Sequence, residues 1–288
     1  MSLSIGIVGL PNVGKSTLFQ ALTKKEVAIA NYPFTTIEPN VAIVSVPDKN
    51  LEKLNQIFRP EKITPAVIEF IDIAGLVKEA HLGKGLGNQF LAKIRETNLL
   101  VEVVRVFEDK NVSHVENSID PKRDIEIIKE ELKHAGIEKP IIYVFNVKSD
   151  AIFQAQKEYP GLAIPLKDEL DISELSDKEK EELEVKTSGL LDDLIKTCYS
   201  ALGLITFYTI KGGKETRATK IKQGTNILDA AEKIHSDFKE KFIKAEVISC
   251  KDLIGSGGWQ QAREKGLIRT EGKEYIVQDG DVIEFKHG

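Results

Sequence analysis

Residues 9 to 17, Gly9-Leu10-Pro11-Asn12-Val13-Gly14-Lys15-Ser16-Thr17, have the types and spacing to hold a polyphosphate. They fit G-x-x-x-x-G-K-[ST], the phosphate-binding loop, without a mismatch. Gly9 and Gly14 let the backbone turn tightly and aim its N–H groups at phosphate oxygens. Lys15 reaches the β- and γ-phosphates, and the Ser16 hydroxyl is placed to ligate Mg²⁺. A second group, Asp72-Ile73-Ala74-Gly75, supplies complementary chemistry. An acid at the end of a strand beside such a loop holds Mg²⁺, usually through a water, and the Gly75 N–H can meet the γ-phosphate.

Three further segments bear on turnover and on the base. Asn31 to Asn40 carries two prolines and the hydroxyls of Thr35 and Thr36, so it reads as a loop. Such a loop can bring a threonine to the metal and the γ-phosphate, ordering when the triphosphate is bound. Leu76 stands where Ras-type enzymes carry the glutamine that orients the attacking water, and an apolar side chain cannot do that. His81 and His114 are the candidate substitutes, although a lone histidine also has ordinary structural uses. Asn146-Val147-Lys148-Ser149 falls where GTPases place N-K-x-D. Ser149 lacks the carboxylate that reads guanine, and Asp150 comes one residue late. The loss of that partner weakens discrimination for guanine and points to ATP. Asn146 remains able to tie its loop to the phosphate loop.

The elements that must position these groups alternate. Ser4 to Val8 reads as an apolar strand, and Ser16 to Leu22 opens a helix whose N-terminus favours anions. Strands are expected at Val41–Val46, Ala66–Ile71, Leu99–Phe107, Pro140–Phe145 and Leu162–Ile164. Helices are expected at Asn88–Thr97, Pro121–Lys133, Ser173–Glu184 and Leu190–Ala201. The second starts at Pro121 and lines up Ile125, Ile128 and Leu132. This alternation implies an α/β fold: a P-loop NTPase with a doubly wound, mostly parallel sheet and its ligand at the C-terminal strand ends. From Leu204 the character changes. A hairpin at Leu204–Ile210 and Glu215–Lys220, a helix at Ile227–His235, a strand at Ala245–Ile248 and a final pair, Tyr275–Val277 with Val282–Phe285, make a small α+β module. The expected domains are 1–203 and 204–288. Lys211, Lys214, Arg217, Lys220 and Lys222 read either as an RNA-facing patch or as ordinary surface lysines.

A chain of 288 residues suits about two domains. Charged residues at 30%, hydrophobic ones at 41% and a net charge of −5 describe an ordinary globular protein without a whole-chain pull toward nucleic acid. DNA is not expected as a partner. Cys198 and Cys250 are too few for a disulfide framework or a zinc cluster. The opening residues lack the basic region of a signal peptide, and no apolar run reaches membrane-spanning length. The expected compartment is the cytoplasm.

With these segments together, the chain resembles the YchF or Obg-like ATPase family. The resemblance rests on Gly9–Thr17, Asn31–Asn40, Asp72–Lys78 and the stretch Glu271-Gly272-Lys273-Glu274-Tyr275-Ile276-Val277-Gln278-Asp279-Gly280-Asp281. The last resembles that family's C-terminal TGS domain, a β-grasp fold. The resemblance implies an ATPase that prefers ATP to GTP, uses Mg²⁺ and associates with the ribosome or ribosomal RNA. It implies that Asn12, Val13, Gly14, Lys15, Ser16 and Thr17 bind phosphates, that Thr36 joins Ser16 and Asp72 at the metal, and that Asn146 and the Val147 backbone sit by the adenine. It also favours His114 over His81 as the hydrolytic histidine, beside Lys15 and Gly75. Asn12 leaves a K⁺ requirement open. Family members carry a long coiled-coil insertion where this chain has only His134 to Lys139, and tend to have glutamate where it has Ser149. A slow, switch-like ATPase is the leading expectation. A GTPase of the Obg type and a ribosome-binding or RNA-binding adaptor with structural nucleotide are the alternatives.

Overall fold

The computed structural model describes residues 3–25, 40–73, 87–185 and 187–288. The chain divides into two compact units, Met1–Val44 with Ile68–Ala201, and Ser45–Val67 with Leu202–Gly288. In chain order the elements are β1 (Ser4–Val8), α1 (Lys15–Thr23), β2 (Val41–Ser45), α2 (Lys49–Phe58), β3 (Lys62–Thr64), β4 (Val67–Asp72), α3 (Gly87–Glu96), β5 (Leu99–Arg105) and α4 (Pro121–His134). There follow β6 (Ile141–Asn146), α5 (Ile152–Glu158), β7 (Leu162–Ile164), α6 (Leu166–Glu174), α7 (Asp177–Glu182) and α8 (Leu190–Ala201). The remainder comprises β8 (Leu204–Lys211), β9 (Glu215–Lys222), α9 (Ile227–Ile234), α10 (Ser236–Glu240), β10 (Phe242–Ser249), α11 (Cys250–Ser256), α12 (Trp259–Glu264), β11 (Arg269–Glu271) and β12 (Asp281–His287).

The first sheet runs β2-β4-β1-β5-β6-β7. The β4–β1, β1–β5, β5–β6 and β6–β7 pairs are parallel. Strands β1 and β5 are buried at every residue. That is why they read as near-continuous apolar runs, interrupted only by Ser4, Glu102 and Arg105, and not as alternating ones. From β1 the chain goes to β2 and β4 on one side and then to β5, β6 and β7 on the other. The strand order therefore reverses beside β1, and the crevice at its C-terminal end is the natural ligand position of an open α/β sheet.

Local signals set the helices. Asp120 caps α4 by accepting from the Arg123 N–H, Pro121 occupies the first turn, and Lys133 and His134 lie in the last. The helix expected over Ser173–Glu184 is divided in two. Leu175 is extended, and Ser176 with Glu179 forms a capping box that starts α7 afresh.

The second unit has its own sheet, β11-β10-β12-β8-β9-β3. Strands β8 and β9 form the expected antiparallel hairpin, while β12 meets β8 in parallel and β10 antiparallel. Helix α9, capped by Asn226, buries Ile227, Ala230 and Ala231 among Phe207, Val247 and Ile283. The stretch Tyr275–Val277 is not a strand. Ile276 makes only an isolated bridge with Asn226, and Asp281 accepts from the Gln278 N–H to fold the approach to β12 into a turn.

Residues 45–67 leave the first sheet after β2 and build into this second unit. β3 lies parallel to β9, pairing Ile63 with Thr216. The Thr64 hydroxyl donates to Glu215 at 2.6 Å, and the Tyr208 hydroxyl lies 2.8 and 3.0 Å from the two Asp48 carboxylate oxygens. Asp48 also caps α2 through the Asn50 and Leu51 N–H groups.

Candidate functional site

The loop between β1 and α1 follows from its glycines. Gly9 has φ 146°, and a Cβ there would lie 2.5 Å from the Val103 carbonyl oxygen. Gly14 has φ 111°, and a Cβ there would lie 2.5 Å from Asn146 Nδ2. Side chains at either position meet both backbone strain and a collision. The Asn146 amide uses the space Gly14 leaves, donating to the Val13 carbonyl at 2.9 Å and accepting from the Leu166 N–H at 3.4 Å. One side chain thus joins the phosphate loop, the end of β6 and the start of α6.

Lys15 is buried, and its Nζ donates to the Leu10 carbonyl at 2.7 Å. Burial pushes it down to about 8, opposed by the negative charge of Asp72. Asp72 ends β4 in register with Ile7 of β1. Its carboxyl is raised by burial, with Lys15 and Lys93 pulling the other way. Lysine and carboxylate therefore each oppose the desolvation of the other, at adjacent strand ends.

Asn12, Gly14, Lys15, Ser16 and Thr17 line a cavity of about 630 Å³ together with Asn146 and Val147. Val147 already donates its N–H to the Ile164 carbonyl at 3.2 Å. Thr36 and Gly75, with Leu76 and His81, lie outside the described residues.

Lys148 and Ser149, of the same motif as Asn146 and Val147, also line the cavity. The rest of the wall comes from residues whose part was not visible in the motifs: Arg105, Phe107, Asp109, Val112, Lys167 and Asp168. Arg105, buried at the end of β5, donates to the carbonyls of Phe107 (2.9 Å), Val112 (3.0 Å) and Asp109 (3.4 Å), and its guanidinium lies 5.0 Å from the Phe107 ring centre. Its signal was a cation closing a mostly apolar strand. Asn12, in the left-handed region at φ 63°, reaches the same loop by donating to the Ser113 carbonyl at 3.3 Å.

His114 follows in that loop, and its side chain points inward. Nε2 lies 2.9 Å from Asp124 Oδ2, and Nδ1 accepts from the Glu116 N–H at 3.2 Å. Arg123 holds the other Asp124 oxygen through Nε (3.1 Å) and Nη2 (2.8 Å). His114 does not line the 630 Å³ cavity, which the loop joins through its backbone and Arg105. Among the described residues no group of three or more His, Cys, Asp or Glu gathers as a metal cage. Of the basic residues near the β8–β9 hairpin, Lys220 and Lys222 donate to the Val67 and Leu202 carbonyls and Arg217 pairs with Glu215.

Comparison with known proteins adds the lineage. A family model described as a 50S ribosome-binding GTPase matches residues 4–147, and the C-terminal model of the YchF GTPases, described as a protein of unknown function, matches 204–288. The chain is 40% identical to the ribosome-binding ATPase YchF of Bacillus subtilis (strain 168), with 99% of each chain covered. The chain belongs to the YchF family. The Escherichia coli O157:H7 YchF is 38% identical, also over 99% of each chain. The solved Schizosaccharomyces pombe YchF GTPase has 29% identity and a TM-score of 0.82, covering 99% of this chain and 98% of that one. The Bacillus YchF alignment runs over 365 residues, against 288 here, so that relative carries residues without a counterpart in this chain. In this YchF-family member α4 and β6 are joined by residues 135–140 alone. Among the described residues no helix is long and apolar enough to cross a membrane.

Proposed function

We propose that this chain is a Mg²⁺-dependent ATPase that works as a nucleotide-dependent switch on the ribosome, in the cytoplasm, and prefers ATP to GTP. The observation that carries the reading is the cavity in which the Gly9–Thr17 loop and Ser149 come together. It offers backbone and lysine to a triphosphate, and a serine where guanine recognition calls for a carboxylate. The names of the Bacillus and Escherichia relatives, ribosome-binding ATPases, support the ribosomal partner.

Ser16 and Asp72 offer the hard oxygen donors that suit Mg²⁺, a cation usually completed by water and phosphate oxygens and not by an all-protein cage. Bound there, the ion would neutralise charge on the β- and γ-phosphates. The chain's own part is positional. Val13 to Thr17 present N–H groups to the phosphates, Lys15 adds its charge, and Asn146 braces the loop that carries them. Thr36 and Gly75 complete the triphosphate contacts in this proposal, so that loss of the γ-phosphate releases both segments. His114 is the proposed hydrolytic histidine. To act on water its imidazole has to leave Asp124, which fits slow turnover without a partner.

The test is calorimetric titration of ATP and GTP with Mg²⁺, on the chain and on Lys15→Ala. ATP should bind more tightly than GTP, and Lys15→Ala should lose at least about tenfold in affinity. Tighter GTP binding would make the chain a GTPase. Ribosome co-sedimentation that ignores nucleotide and survives Lys15→Ala would make it an adaptor.

A further inference from the structure

Ser149 has a carboxylate beside it, and that carboxylate arrives from another strand end, not from the position where GTPases carry their guanine-reading acid. Strands β6 and β7 are parallel neighbours, so the segments leaving their C-terminal ends open onto one cavity. Ser149 follows β6, and Asp168 lies in the first turn of α6, which follows β7. Both line the cavity that Gly14, Lys15 and Ser16 also line, and the Ser149 hydroxyl donates to Asp168 Oδ2. We infer that Asp168, steered by Ser149, is the specificity-determining acceptor for the exocyclic amine of the base, N6 of adenine; the inference rests on the ATPase reading above.

The chemistry of the pair selects the ligand group. An ionised carboxylate only accepts hydrogen bonds, and the Ser149 oxygen, with its O–H turned toward Asp168, keeps lone pairs that also accept. Together they ask the base for N–H donors. Adenine N6 carries two. Hypoxanthine and guanine carry an oxygen at position 6, where they would set acceptor against acceptor; their own N–H donors lie along the N1 side of the ring. The nearest lysine in sequence is otherwise engaged, since Lys167 Nζ sits 2.7 Å from Asp171. Asp168 also gains from the α6 N-terminus, as any acid in a first turn does. That benefit concerns stability and is blind to the identity of the base.

The experiment compares affinities for ATP, GTP and inosine triphosphate, with Mg²⁺, for the full chain and for Asp168→Ala, Asp168→Asn and Ser149→Ala. Melting curves verify that each variant is folded. The unaltered chain should favour ATP over the inosine nucleotide by about tenfold. Asp168→Ala should bring ATP down to the inosine level while inosine affinity stays within about twofold, and Asp168→Asn, which keeps one acceptor oxygen, should restore part of the preference. An ATP-to-inosine ratio unchanged in folded Asp168→Ala would overturn the role of Asp168 alone. Failure of the unaltered chain to take up ATP would instead overturn the ATPase reading.

Discussion

Glu102 sits in the middle of β5 among buried neighbours, and its Oε2 has no hydrogen-bond partner among the described residues. Burial, which outweighs the attraction of Lys129, raises its carboxyl to about 8, and Asp124 adds to the rise. The folded chain therefore holds this proton more tightly than the unfolded chain, where the ordinary value is 4.5. Its contribution to stability is complete below pH 4.5 and is lost as pH climbs through about 8. Glu102→Gln should remove that slope: urea unfolding at pH 8 should find the variant more stable by on the order of a few kcal/mol, and at pH 4 the gap should close. Lys15 and Asn146 were legible because fixed spacings name them. Arg105 and Asp168 were not, because their places depend on which strand ends lie side by side, and Glu102 was not, because its burial depends on what packs over the middle of β5.

The loop between β5 and α4 shows how an element without regular structure is held. Arg105 binds three of its carbonyls, Asn12 a fourth, and Asp120 ends it by capping α4. A guanidinium supplies donors in a fixed fork that an ammonium cannot match. Arg105→Lys should thus loosen the Phe107 and Val112 wall and weaken nucleotide binding by about tenfold, at a cost of about 1–3 kcal/mol in unfolding free energy. Titration and denaturation of the same variant would check both. At this scale the sequence was informative where apolar period and cap residues agreed, as in β1, β5 and α4. It misled at Ser173–Glu184, where the Ser176 and Glu179 box overrode a continuous polar helix pattern, and at Tyr275–Val277, where short β-forming residues serve a turn.

Across the whole molecule, the membership of residues 45–67 in the second unit was hidden for a simple reason. Asp48 meets Tyr208, a residue 160 positions away, and a pairing of that separation leaves no periodic trace. Tyr208→Phe removes the hydroxyl that Asp48 accepts while keeping the buried ring. Chemical denaturation should register a loss of about 1–3 kcal/mol, chiefly the cost of a carboxylate that loses one of its donors.

Because α2 and β3 arrive from within the N-terminal half, no single cut separates the C-terminal module from the rest. A fragment beginning at 204 would leave the β9 edge bare, a template for self-association. Transplanting the module intact means moving two segments, 45–67 and 202–288, with three junctions: one on each side of the first and one before the second. Gene fusion at one boundary could never have supplied it whole.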